Sequence, residues 1–89
     1  MKQQELQRRF LFILHRGLVE ARLLAQAKKH EQLFDLADAL ESLPSYMANW
    51  EDRHLEVIRF NLENYRKKYP SPSFDYLRYL DTDPLPERF

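Results

Sequence analysis

The pair Glu51-x-x-His54 is a place in this chain where residue types and spacing could do chemistry. A carboxylate and an imidazole one helical turn apart bind one metal ion in di-iron bundle proteins, which need a second such pair and two further glutamates. This chain has one such pair, and elsewhere only Glu20 leans inward in helical projection. A metal-dependent helical enzyme around Glu51 and His54 is therefore the weakest functional hypothesis, and we expect neither a metal nor another cofactor.

Other catalytic arrangements find little support in the sequence. The three histidines, His15, His30 and His54, lie in separate segments, and there is no cysteine to act as a nucleophile or thiolate ligand. A single glycine excludes a glycine-rich phosphate loop. We find no catalytic motif and expect a non-enzymatic protein.

Three basic clusters could contact phosphates: Arg8 and Arg9; Lys28 and Lys29; and Arg66, Lys67 and Lys68. However, the chain has 14 basic and 14 acidic side chains and a formal net charge of zero, whereas nucleic-acid-binding domains usually carry a basic excess. The second and third clusters also lie at predicted helix C-termini, where the helix dipole favours positive charge. A nucleic-acid-associated regulator that uses these residues is the second hypothesis.

The elements that position these residues are predicted to be helices, because the chain is rich in good helix formers and poor in β-branched residues. Apolar periodicity predicts three main helices at about 3–29, 31–43 and 50–68 and a short C-terminal helix at about 73–80. The fold class is thus a small all-α bundle, with one domain over 1–80 and an extended, proline-containing tail over 81–89. The short join between the first two helices permits either a hairpin or one bent helix, and the basic residues before it favour the hairpin.

The second helix is expected to end or kink at Pro44, since a proline disfavours helical geometry in the residue before it. A short connector then leads to Asn49, which could serve as the N-cap of the third main helix.

The first helix has more apolar surface than one buried face requires. Its main stripe contains Gly17, whose lack of a side chain permits close approach of another helix. A second stripe, formed by Phe12, Val19 and Leu23, lies on roughly the opposite side. Either the aromatic residues of the C-terminal segment (Phe74, Tyr76 and Tyr79) cover this stripe, or another chain does.

The third main helix shows a similar excess through Trp50, Val57 and Phe60, which form a second candidate surface. Small helical domains with wide apolar arcs on two helices are often oligomers. The leading hypothesis is therefore a protein–protein interaction or regulatory module that forms a homodimer. The apolar run after the polar N-terminus is too short for a signal peptide or a membrane span, so we expect a soluble, cytoplasmic protein without a membrane partner.

Overall fold

Five helices account for most of the residues that the computed structural model describes, namely 3–70, 74–81 and 84–86. In chain order they are α1 (Gln3–Gln26), α2 (His30–Leu40), α3 (Leu43–Ala48), α4 (Arg53–Lys68) and α5 (Arg78–Asp81). No strand occurs in these ranges, and the predicted small all-α bundle is confirmed.

The first helix ends three residues earlier than predicted because the chain turns at Lys28. This residue has φ of 58°, in the left-handed region that usually favours glycine. The Lys29 N–H donates to Leu24 O at 2.9 Å and the Lys28 N–H donates to Ala25 O at 3.1 Å, as in a Schellman motif. The turn reverses the chain, so α1 and α2 form the hairpin that the sequence favoured over one bent helix.

The predicted connector after Pro44 is a short helix. Pro44 lies in the first turn of α3, where an N–H group would have no partner within the helix. Helix α2 ends at Leu40, whereas the predicted end was Leu43. Asn49 is the C-cap of α3 and does not begin the next helix. The N-cap of α4 is Asp52, without a side-chain capping bond, and α4 therefore starts three residues later than predicted.

The core lies between the α1–α2 hairpin and a second layer formed by α4 and the C-terminal segment. Packing joins α2 to both α1 and α4, whereas α3 and α5 contact α1. The largest fully buried side chains are Phe10, Ile13, Leu36, Leu43, Ile58, Leu62 and Leu80. Each long helix thus turns one apolar stripe inward, as its periodicity predicts.

The C-terminal helix is shorter than the predicted 73–80, because only Arg78–Asp81 is helical and residue 73 lies outside the described ranges. Beyond α5, residues 84–86 are not helical, and Arg8 Nη2 donates to Pro86 O at 3.3 Å. The rest of the predicted tail lies outside the described residues.

Across the described ranges, no helix is long and apolar enough to span a bilayer.

Candidate interaction surface

The C-terminal segment covers one end of the second apolar stripe of α1. Phe12 is only 6% exposed, and its ring meets those of Phe74 and Tyr79 edge-on at centroid distances of 5.6 and 5.2 Å. Placing Phe12 on an exposed interaction surface was therefore wrong, because these two rings shield it from water. Val19 and Leu23, on the same stripe but further along α1, remain exposed.

The second candidate surface also divides into a covered and an uncovered part. Trp50 is half-buried and packs against the core, with its ring 5.2 Å from that of Phe10. Its assignment to an exposed surface was thus incorrect, since it lies before α4 and turns toward α1. Val57 and Phe60, one turn apart on α4, remain exposed, and Phe60 is 62% accessible.

Three further exposed apolar side chains were absent from the predicted surfaces. Leu11 and Leu18 on α1 are both exposed, Leu18 by 64%. Phe34 on α2 is 67% exposed and had no assigned role. The exposure of Phe34 could have been predicted from the sequence, because Phe34 lies about 160° around α2 from Leu36, on the side away from the core.

Gly17 is buried at the contact between α1 and α2. A Cβ atom built on Gly17 would overlap Leu40 Cδ1. The absence of a side chain therefore lets Leu40 fill the space beside the α1 backbone, at the position where close helix approach was expected.

The basic clusters contain both residues with partners in the fold and exposed residues. Arg9 is buried, pairs with Glu5 at 3.1 Å and donates to the Tyr79 carbonyl oxygen at 3.3 Å, so it is removed from the set of phosphate contacts. Arg66 lies 3.8 Å from Asp75. Lys28, Lys29 and Lys67 are exposed; the first two lie in the turn after α1, and Lys67 lies near the end of α4.

Lys68 belongs to a polar network between α2 and α4. Its Nζ lies 3.0 Å from Glu31 Oε1 and 2.9 Å from Asp35 Oδ2, and the Tyr69 hydroxyl donates to the same Asp35 oxygen at 2.6 Å. The hydrogen bonds from Tyr69 and Lys68 lower the pKa of Asp35, and those to Asp35 and Glu31 raise the pKa of Lys68. Lys68 thus joins the end of α4 to Glu31 and Asp35 of α2.

The Glu51–His54 pair also has local partners. The Glu51 N–H donates to His54 Nδ1 at 3.1 Å, and the His54 ring stacks on Tyr46 at a centroid distance of 3.8 Å. Among the described residues, no three His, Cys, Asp or Glu side chains are grouped so that they could hold a metal ion. In this arrangement the histidine holds the chain just before α4 and packs against Tyr46 of α3.

A buried carboxyl group joins α1 to the second layer of the fold. Glu20 is 4% exposed, and its Oε2 accepts hydrogen bonds from the Tyr76 hydroxyl at 2.6 Å and the Tyr65 hydroxyl at 3.3 Å. Gln32 Nε2 donates to the Tyr65 oxygen at 3.0 Å. Burial is the main reason why the pKa values of both tyrosines are raised. The pKa of Tyr65 rises to about 12. This cluster satisfies polar groups inside the core, and its Tyr65 also lines a pocket between α2 and α4 with Asp35 and Asn61.

Comparison of the chain with protein-family models, curated protein sequences and solved structures found no match.

Proposed function

We propose that this chain is a small, non-enzymatic protein–protein interaction module that associates with itself. The supporting observation is that large apolar side chains remain exposed on all three long helices: Leu11, Leu18, Val19, Leu23, Phe34, Val57 and Phe60. Burying side chains of this size contributes about 1.5–3 kcal/mol each, so association that covers several of them is favourable.

The chemistry of the polar residues supports the same proposal. Several residues that could have formed a phosphate-binding surface or a metal site have partners within the fold, as described for Arg9, Lys68 and His54. Zero net charge gives no long-range attraction to polyanions, and it also imposes little repulsion between two copies of the chain.

Molar mass in solution tests this proposal directly. Sedimentation equilibrium over a wide concentration range should show a mass that rises from the 10.9 kDa of one chain toward twice that value. Because the contact is proposed to be mainly apolar, moderate added salt should leave much of the association intact. A mass that stays at one chain at every concentration would contradict self-association.

A further inference from the structure

The pocket between α2 and α4 has a volume of about 230 Å³ and is lined largely by polar side chains. Asp35 and Asp38, three residues apart on α2, line it from one helix, and Asn61 and Asn64, also three residues apart, line it from α4. Residues at this spacing lie on the same side of a helix. The pocket therefore brings two carboxylates and two side-chain amides together from two helices.

In one part of this pocket the chain binds a cation of its own. The Lys68 ammonium lies 2.9 Å from Asp35 Oδ2 and 3.0 Å from Glu31 Oε1. The same nitrogen lies 5.8 Å from the centroid of the Tyr69 ring, which also lines the pocket. A carboxylate beside an aromatic ring stabilises a positively charged nitrogen. The contacts of Lys68 thus show which chemistry this part of the pocket recognises.

The neighbouring carboxylate, Asp38, is not paired with a cation of the described chain. Among the described residues, Asp38, Asn61 and Asn64 form no ion pair or side-chain hydrogen bond with one another or with other residues. Of the described residues that line the pocket, only Lys68 is positively charged, and two other carboxylates already balance its charge. The unbalanced negative charge of Asp38 therefore favours a positively charged ligand.

We propose that this pocket binds a guanidinium group, with Asp38 as its ion-pair partner and the side-chain oxygens of Asn61 and Asn64 as further hydrogen-bond acceptors. A guanidinium has five N–H donors in one plane, so it can donate to acceptors on both helices, whereas an ammonium is a compact charge with three donors. A guanidinium is also more weakly hydrated than an ammonium, which lowers the cost of leaving water. The site goes beyond the proposed function and does not depend on self-association.

The size of the pocket limits the ligand to one small group. Pockets for drug-sized molecules usually have volumes of about 300–1,000 Å³, so about 230 Å³ suits a single side chain better than a nucleotide or a large cofactor. In the described part of the chain, no three acidic or histidine side chains are grouped as a metal ion would need. An arginine side chain of another protein and a free guanidino compound share the chemistry that fits.

Titration followed by nuclear magnetic resonance tests the site with N-acetyl-arginine amide, a probe that carries the side chain without charged termini. The side-chain amide signals of Asn61 and Asn64 should shift and saturate, with a Kd on the order of 1 mM, as expected for a single side chain. The corresponding citrulline compound is the ligand control, because it has nearly the same shape without the charge. It should bind about tenfold more weakly or worse.

A single substitution tests the role of the carboxylate. Asp38→Asn should weaken binding of the arginine probe by about tenfold or more, because the ion pair is lost. Glu41→Gln is the matched control, since Glu41 is an exposed acid on the same side of the chain turn that ends α2 but does not line the pocket. It should leave the Kd unchanged. Both variants should keep the melting temperature of the parent, because both side chains are exposed.

Two further probes distinguish the sources of the group. Ethylguanidinium carries the group alone, whereas the acetylated and amidated peptide Ala-Arg-Ala also carries a polypeptide backbone. Tighter binding of the peptide supports an arginine of a protein partner, and equal binding supports a free guanidino compound.

Three results would overturn the guanidinium site. The first is a set of shifts that do not saturate with the arginine probe. The second is equal affinity for the citrulline compound or for N-acetyl-lysine amide. The third is an unchanged Kd in Asp38→Asn.

Discussion

At the scale of single residues, Gly17 sets how closely α1 and α2 approach. A glycine inside a helix costs about 1 kcal/mol relative to alanine, so its presence needs a compensating contact. Leu40, which is buried, occupies the space that a Cβ would take. The helix propensity lost at this position is offset by close packing of the hairpin.

Replacing Gly17 with leucine should destabilise the protein. Overpacking typically costs about 1–3 kcal/mol, and a leucine at the α1–α2 contact must displace Leu40, so we expect a net loss near 2 kcal/mol despite the gain in helix propensity. Urea denaturation monitored by circular dichroism would measure it. Ala25→Leu is the control, because Ala25 is exposed on the same helix and should change stability by less than about 0.5 kcal/mol. Equal effects of the two substitutions would indicate that nothing packs closely at Gly17.

The buried tyrosines make stability sensitive to alkaline pH. In the unfolded chain a tyrosine has a pKa near 10.0, whereas burial raises the pKa of folded Tyr65 to about 12. Burial and the hydrogen bond to Glu20 raise the pKa of Tyr76 as well. Between these values the unfolded state binds fewer protons, so the free energy of unfolding falls with rising pH and is unaffected below the unfolded pKa.

Urea midpoints measured from neutral pH to about pH 11 would check this expectation. The midpoint should stay level until about pH 9 and then fall. Tyr76→Phe should lower the stability at neutral pH, since Glu20 loses a hydrogen bond, and should make the alkaline decline less steep. Tyr46→Phe, outside the Glu20 cluster, is the matched control and should keep the steep decline. A parent midpoint that does not change with pH would contradict the proposed linkage.

At the scale of elements, the C-terminal segment completes the core although little of it is helical. Leu80 is fully buried, Tyr76 bonds to Glu20 on α1, and Phe74 and Tyr79 cover Phe12. The guanidinium of Arg16 also lies 5.1 Å from the centroid of the Phe74 ring. Apolar, hydrogen-bonding and cation–π contacts therefore hold the segment to α1, and the Tyr65 ring of α4 also meets the Tyr76 ring.

Phe12→Ala and Phe60→Ala compare the covered stripe of α1 with the uncovered face of α4. Removing a buried phenylalanine ring costs about 3–5 kcal/mol, whereas an exposed one should change stability by less than about 0.5 kcal/mol. We therefore expect Phe12→Ala to lower the free energy of unfolding much more than Phe60→Ala does. Urea denaturation would measure both values, at a protein concentration low enough to keep the protein monomeric. Similar losses for the two variants would show that the C-terminal segment does not shelter Phe12.

At the scale of the whole molecule, the protein combines a neutral charge balance with apolar residues on several faces. A chain of 89 residues has a high ratio of surface to volume, so some exposed apolar side chains are normal. Exposed apolar side chains nevertheless occur on all three long helices, α1, α2 and α4. Self-association, as proposed, would shield several of them from water.

Local sequence by itself determined the helical class, the inward stripe of each long helix and the place of Gly17 in it. These features depend on propensity and on a 3.6-residue period, which operate between residues within a few turns. The helix ends were less well determined. Pro44 can stop one helix or begin the next, and Lys28 adopts the left-handed conformation without the glycine that usually marks it.

Only the tertiary structure decided which apolar residues were covered. Phe12, Val19 and Leu23 share one stripe of α1, yet Phe12 is buried and the other two are exposed. The difference arises from Phe74 and Tyr79, more than 60 residues away in the chain, whose rings reach one end of the stripe. Helical periodicity fixes the direction of a side chain around its own axis, but the position of a distant segment depends on how all the elements pack together.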